Sequence, residues 1–191
     1  MNKIVLILVS FMSSMAFADW QVESFEHSAT STQCQSAMVR NEDGLELAIF
    51  KTSKGIIWMD FSLSDYTFDE FSQNQLPSFQ IDDQKPVQLI RGFVATIVPA
   101  DEGINAVIVG DDDEISTDKD FSMDHIVAER LPERVIWPIY QGATRPHLNT
   151  VEALSKGEDI RFNYVLYDGT KGHATFTLKG AKQALKAALS Q

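Results

Sequence analysis

The stretch that decides the fold is IRFNYVLYDGTKGHATFTLKGAKQALKAAL, residues 160–189. Apolar and polar side chains alternate over residues 160–166 and again over residues 174–178, which is the period-two pattern of a half-buried strand. The turn-forming segment 168–172 contains Asp-Gly and lies between the two runs, so they are expected to pair as an antiparallel hairpin. The rest of the stretch predicts a helix.

This last helix is predicted over residues 180–189 and is amphipathic. Its apolar side chains recur with the spacing i, i+3, i+4, i+7 and i+8 that places them on one face. They are Ala181, Ala184, Leu185, Ala188 and Leu189. Lys182 and Lys186 occupy the opposite face, so the helix is expected to lie on the sheet with Leu185 in the core.

Alternating patterns upstream predict further hairpins. Residues 45–49 and 57–63 form one pair, separated by a short break at residues 52–55. Residues 93–98 and 104–109 form a second pair. The sequence therefore predicts an α+β domain, mainly an antiparallel sandwich-like β-sheet with the C-terminal amphipathic helix packed on it.

Other segments give weaker patterns. Residues 19–36 are mixed and predict an extended lead-in, and residues 135–137 form a short strand that Pro138 places at an edge or an end. Residues 150–155 predict a short helix. Residues 64–85 predict a long loop with a turn of helix. Its aromatic side chains either cap the core or form an exposed binding surface; they are Phe68, Phe71 and Phe79.

The C-terminal part resembles the invasion-associated locus B family of periplasmic proteins. The matching segments are VEALSKG at residues 151–157 and ATFTLKG at residues 174–180, followed by Ala184-Leu185 in the helix. Members usually carry a pair of cysteines near the middle, whereas this chain has only Cys34. The resemblance implies a β-rich sandwich with flanking helices and a role in the envelope or in host interaction, and it supplies no catalytic residues.

The amino-terminal segment is typical of a secretory signal peptide. Lys3 precedes an apolar run at residues 4–11, and Ala16-Phe17-Ala18 has the small-x-small pattern of a cleavage site. The run is too short to span a bilayer. We expect residues 1–18 to be removed, leaving residues 19–191 as a single periplasmic or secreted domain without a membrane span.

Charge and cysteine content restrict the partners. The chain carries 16 basic and 27 acidic residues, a formal net charge of −11, which disfavours nucleic acid and anionic lipid and attracts cations or basic partners. The charge is also consistent with a role in solubility alone. Cys34, the only cysteine, cannot form an intramolecular disulfide. It is either a small buried hydrophobe or the partner of a cysteine in another chain.

Calcium is the one metal for which the sequence offers a pattern. Carboxylate and hydroxyl groups fall at positions 1, 3, 5, 7 and 12 of an EF-hand-like loop. They belong to Asp118, Asp120, Ser122, Asp124 and Glu129. Met123 replaces the usual glycine at position 6, and His125 replaces an apolar residue at position 8. One competing interpretation is a helix capped by Thr117 or Asp118 that ends near Arg130. Another is a disordered or loosely cation-attracting loop.

The sequence contains no known catalytic motif and predicts no other cofactor. Trp58, Trp137 and Tyr140 could stack on sugars, although strand aromatics are more often part of a core. The preferred hypothesis is a non-catalytic exported module that binds a protein or an envelope component. The alternatives are an exported hydrolase that uses carboxylates in a cleft and a calcium-responsive module. The oligomeric state is left open.

Overall fold

The computed structural model describes residues 19–27, 32–53, 55–91, 93–100, 103–109, 115–116, 125–140 and 148–190. The predicted signal peptide therefore lies outside the described residues. The strands are β1 (Gln21–His27), β2 (Thr32–Arg40), β3 (Glu46–Lys51), β4 (Ile57–Ser62), β5 (Ser78–Ile81), β6 (Val87–Arg91), β7 (Phe93–Ala100), β8 (Gly103–Val109), β9 (Ile115–Ser116), β10 (His125–Arg130), β11 (Arg134–Tyr140), β12 (Asp159–Val165) and β13 (Lys171–Thr177). The helices are α1 (Leu148–Lys156) and α2 (Ala181–Leu189).

Ten of these strands form one sheet, in the order β1-β2-β3-β4-β11-β10-β6-β5-β12-β13. Among its described strands, only β6 and β10 run parallel; the other neighbours are antiparallel. The outermost strands approach each other, because the indole Nε1 of Trp20 donates to the carbonyl oxygen of Thr177 over 2.7 Å. The sheet is therefore rolled upon itself, and its inner faces pack as in a sandwich.

A cluster of aromatic rings fills the space between these faces. Phe61 of β4 stacks on Phe162 of β12 with ring centroids 4.4 Å apart, although four strands separate β4 from β12 in the sheet. Trp137 of β11 stacks on Phe79 of β5 at 5.7 Å. All four side chains are at most 2% exposed. The predicted α+β sandwich-like fold is confirmed.

The local predictions with strong periodicity are also confirmed. Strands β3 and β4, β7 and β8, and β12 and β13 pair as antiparallel hairpins. Helix α2 contacts β2 and β3. It buries the predicted apolar face, with Leu185 only 2% exposed. Gly180 precedes α2 at φ 91°, a left-handed conformation that glycine adopts without strain.

Strands β7, β8 and β9 form a separate antiparallel sheet of three strands. In the sequence this sheet lies between β6 and β10, which themselves pair in the large sheet. The parallel pairing follows from this arrangement, since a chain that leaves β6 and returns alongside it in the same direction needs a long connection.

Three predictions from weak patterns are wrong. The predicted lead-in at residues 19–36 contains β1 and most of β2, which pair with each other in register. Part of the predicted loop at residues 64–85 is strand β5. Of the two positions predicted for the strand at residues 135–137, an edge or an end, the edge is wrong, since β11 lies between β4 and β10. It accommodates Pro138 because its register with β4 shifts between Pro138 and Tyr140, and a bulge tolerates the missing amide hydrogen.

The predicted helix ending near Arg130 is wrong over its last part. Residues 125–130 form β10, which runs parallel to β6 and antiparallel to β11. Ile126 and Val127 are β-branched and suit a strand between two neighbours better than a helix. The earlier part of that prediction, residues 117–124, lies outside the described residues, as does the predicted loop at residues 141–147.

Cys34 is on β2 and only 5% exposed, which agrees with the hypothesis of a small buried hydrophobe. Burial of the sulfur hinders a disulfide with a second chain in the folded state. In the part of the chain that the structure describes, no helix has the length and apolar character needed to cross a membrane.

Candidate functional site

The segment between β4 and β5, residues 63–77, forms a loop fixed along both of its sides. On one side, Leu63 N donates to Glu133 O over 2.8 Å and Phe71 N donates to Pro132 O over 2.7 Å. On the other side, Ser72 N donates to Val165 O. These hydrogen bonds place the loop between the β10–β11 turn and the end of β12.

Phe71 anchors this loop in the core. Its side chain is fully buried, and its ring centroid lies 5.4 Å from that of Phe61 and 5.7 Å from that of Tyr164. The guanidinium of Arg130 donates to the Phe71 carbonyl oxygen from both Nε (3.1 Å) and Nη2 (2.7 Å). The backbone at Phe71 also bridges to Leu166. The loop cannot leave the sheet without losing these contacts.

Just before this anchor, the loop presents aromatic side chains to solvent. Tyr66 is 87% exposed and Phe68 is 103% exposed. The turn that carries them is held by Thr67, whose N and Oγ1 both donate to Ser64 O, and by Tyr66 N, which donates to Ser64 Oγ. The sequence left open whether the phenylalanines of residues 64–85 cap the core or are exposed. Phe71 and Phe79 are buried in the core, whereas Phe68 is exposed.

Phe68 forms one wall of a groove with the neighbouring β12–β13 turn. Tyr167, 68% exposed, lies on that turn, and its N donates to Glu70 O over 2.8 Å, which holds the turn against the loop. The groove has a volume of about 460 Å³. We call it the aromatic–acidic groove, and its lining residues are Phe68, Asp69, Glu70, Gln73, Leu166, Tyr167 and Asp168.

The charge of the groove is negative. Three of its lining residues carry carboxyl groups, and none of its described lining residues is Lys or Arg. The backbone N–H of Thr170 and then its hydroxyl lower the pKa of Asp168, over 2.8 Å and 3.0 Å. Burial, and then the nearby charges of Asp43 and Asp69, raise the pKa of Tyr164 beneath the loop. The groove thus combines fixed negative charge with apolar ring surface.

A second, smaller pocket of about 300 Å³ lies beside the loop and is lined by charged side chains. Its two arginines already have partners. Arg134 pairs with the buried carboxylate of Asp60, which also accepts from Ser62 Oγ. Arg40 pairs with Glu46 over 2.7 Å. An anion would have to compete with these carboxylates, so this pocket is a structural ion-pair site.

Most of the predicted calcium ligands lie outside the described residues. This holds for Asp118, Asp120, Ser122 and Asp124, so the calcium loop stays a prediction. Glu129, the fifth, is on β10 opposite Ile136 of β11. The described residues contain no group of three or more His, Cys, Asp or Glu side chains arranged to hold a metal ion.

The hydrolase hypothesis stays a prediction. Trp137, a possible sugar-stacking residue, is fully buried in the core. Backbone or side-chain hydrogen bonds lower the pKa of three described carboxyl groups, those of Asp82, Glu152 and Asp168.

Sequence reasoning missed half of the groove. It treated Asp168 as part of a hairpin turn and did not consider Tyr167. The sequence signal for the other half is the segment DYTFDE at residues 65–70, where acidic residues flank two aromatic residues. Its partner turn lies about a hundred residues later and carries no sign of this proximity.

No protein-family model matches the chain. No curated protein and no solved structure matches it significantly either. The resemblance of the C-terminal part to the invasion-associated locus B family therefore stays a prediction.

Proposed function

We propose that this protein is a non-catalytic binding module exported to the periplasm or the cell exterior, where it contacts a protein or another envelope component. The observation that carries the proposal is the complete exposure of Phe68 on a loop that is held in place. Glu70 and Phe71 of the same loop are hydrogen-bonded to the β12–β13 turn and to the β10–β11 turn, respectively. Contiguous exposed apolar groups on soluble domains often mark interaction sites, and Phe68 and Tyr167 line the same groove.

The fixed backbone supports binding. Ordering a mobile loop on association costs free energy, and a loop already held in place avoids most of that cost. Tyr and other large aromatic side chains carry a disproportionate share of interface energy. Tyr66, Phe68 and Tyr167 together offer such anchors at one end of the rolled sheet.

Export is supported by residues 1–18, which have the three regions of a secretory signal. Fractionation of the native cell, followed by mass spectrometry of the recovered protein, tests this. The expected product is found in the periplasm or the medium and begins at Asp19. An uncleaved product confined to the cytoplasm would refute the exported part of the proposal.

The binding surface is tested with the triple variant Tyr66→Ser/Phe68→Ser/Tyr167→Ser. Chemical crosslinking in the native cell should give reproducible crosslinked species with the wild-type protein, and the triple variant should lose them while keeping its thermal midpoint. Val22→Ser is the matched control, since Val22 is a 41% exposed apolar side chain on β1. Identical crosslinks in the triple variant would refute binding through this surface.

A further inference from the structure

We propose that the aromatic–acidic groove binds a Lys or Arg side chain presented by a basic, extended segment of a partner protein. This inference rests on the proposed function and names the chemistry of the partner. It is carried by the placement of two exposed rings and three carboxyl groups around one opening, with no basic residue among the described lining.

The rings suit such a ligand because a cation is attracted to the face of an aromatic ring. Phe68 and Tyr167 come from two different turns and both line the opening. The aliphatic part of a Lys or Arg side chain can cover apolar ring surface while its charged end stays near water or a carboxylate. A purely acidic patch would attract any cation, whereas rings add a preference for one with an apolar stem.

Two acidic groups elsewhere on the molecule already have basic partners. Glu46 is paired with Arg40 and Glu152 with Lys156, both within hydrogen-bonding distance. Arg130, on the strand beside the loop, directs its guanidinium to the carbonyl oxygen of Phe71. Among the described residues, the donors to the Asp168 carboxylate are the backbone N–H and the hydroxyl of Thr170, which are neutral, so its negative charge remains available to a ligand.

Net charge decides between occupants. A second copy of this chain would bring another −11 and would be repelled by the groove. A basic segment of another protein is attracted instead. The volume of about 460 Å³ is within the range of sites for small ligands, which suits one or two side chains better than a globular surface.

The test is a backbone NMR titration of the purified protein with a hexa-arginine peptide. Hexa-citrulline, which has nearly the same shape without the charge, is the ligand control. We expect hexa-arginine to shift the amide signals of residues 68–73 and 166–168, and the shifts to weaken at high salt. Equal shifts with hexa-citrulline, or shifts spread evenly over the surface, would overturn the proposal.

Two double variants distinguish binding in the groove from general attraction of the peptide to a negatively charged protein. Asp69→Asn/Glu70→Gln should weaken hexa-arginine binding about fivefold or more. The control Glu23→Gln/Asp83→Asn removes the same charge from exposed positions elsewhere and should leave binding within about twofold. Equal losses in both double variants would reject a specific groove.

The aromatic contribution is tested in the same way. Phe68→Ser should weaken binding about two- to fivefold, the range expected for a cation on an exposed ring. Val22→Ser removes an exposed apolar side chain that does not line the groove and should have no effect. Equal losses in these two variants would contradict the predicted role of Phe68.

Spermidine distinguishes a free polyamine from a peptide. If spermidine binds the groove as tightly as hexa-arginine does, the partner assignment is wrong. If hexa-arginine does not bind but the triple serine variant still loses its crosslinks in the cell, the proposed function holds and only the basic character of the partner is rejected.

Discussion

Gly172 should be essential for the position of the exposed loop, although it lies on a different hairpin. It is on β13 directly opposite Tyr164 on β12. A Cβ atom added at Gly172 would lie 2.3 Å from Cε2 and Cζ of the Tyr164 ring and 2.6 Å from its hydroxyl oxygen. The ring therefore lies across the glycine backbone, and Gly172→Ala must displace it.

The ring cannot move without losing contacts. Tyr164 packs edge-on against Phe61 at 5.6 Å and against Phe71 at 5.7 Å. Each such aromatic pair contributes about 0.5–1.5 kcal/mol, so displacement removes about 1–3 kcal/mol. Alanine in a strand recovers about 0.5–1 kcal/mol relative to glycine. We expect Gly172→Ala to lower the free energy of unfolding by about 1 kcal/mol, within a range of about 0–2.5 kcal/mol.

Urea denaturation of four proteins measures this effect and its cause: the wild type, Gly172→Ala, Tyr164→Ala and the double variant. When the ring is absent, the added methyl group meets no obstacle. Gly172→Ala should then stabilise the Tyr164→Ala protein by about 0.5–1 kcal/mol, through the strand preference alone. The substitution thus changes sign between the two backgrounds.

Additive effects in this double-mutant cycle would refute the reasoning, since residues that do not interact give no coupling energy. A stabilising effect of Gly172→Ala in the wild-type background would refute it as well. NMR provides an independent readout, because displacement of Tyr164 releases one side of Phe71. The amide signals of residues 64–70 should then shift in Gly172→Ala and stay unchanged in Thr175→Ala, a substitution at an exposed position of the same strand.

Four further substitutions test the packing and the charges. Leu185→Ala removes a side chain that is 2% exposed and should lower the free energy of unfolding by about 2–5 kcal/mol in urea; a loss below about 1 kcal/mol would show that α2 is not part of the core. Arg134→Gln leaves the buried Asp60 carboxylate unpaired and should cost about 3 kcal/mol by the same assay, with partial recovery on adding Asp60→Asn. Burial and nearby carboxylates raise the pKa of Tyr164, so its contribution to folding stability is present below its ordinary pKa of 10.0 and is lost as pH rises further. Tyr164→Phe should therefore flatten the alkaline decline in the free energy of unfolding. An unchanged decline would contradict this. Backbone N–H groups hold the pKa of Asp82 below its usual 3.8, so its contribution to folding stability is present above that pH and is lost as pH falls. Asp82→Asn should make the free energy of unfolding less dependent on pH below 4. An equally steep loss of stability at acid pH would be the contrary result.

The sequence predicts elements well where neighbours along the chain are also neighbours in space. Helix α2 has its apolar residues on one face, and residues 160–178 contain both strands of a hairpin together with its turn. In these cases the period of the apolar residues determines both the element and the face that it buries. The information needed for the prediction lies within about twenty residues.

Prediction fails where the partner of a segment is distant in the sequence. In residues 125–130, HIVAER, the apolar residues are consecutive rather than alternating, so a helical interpretation fits them equally well. Pro138 indicates an edge or an end when read locally, and its central position is explained by the register shift against β4.

The candidate site is the clearest case of a structure formed by segments that are distant in the sequence. Its loop is held by hydrogen bonds from Phe71 to Pro132 and from Ser72 to Val165, which join positions about sixty and ninety residues apart. Phe68 is exposed because Phe71, three residues later, is fixed in the core and determines which way the intervening chain turns. An aromatic residue in a loop is therefore ambiguous when only the sequence is known. Its role depends on which aromatic residue of the loop the rest of the fold holds in the core. In this chain Phe71 is held there, and Phe68 is exposed.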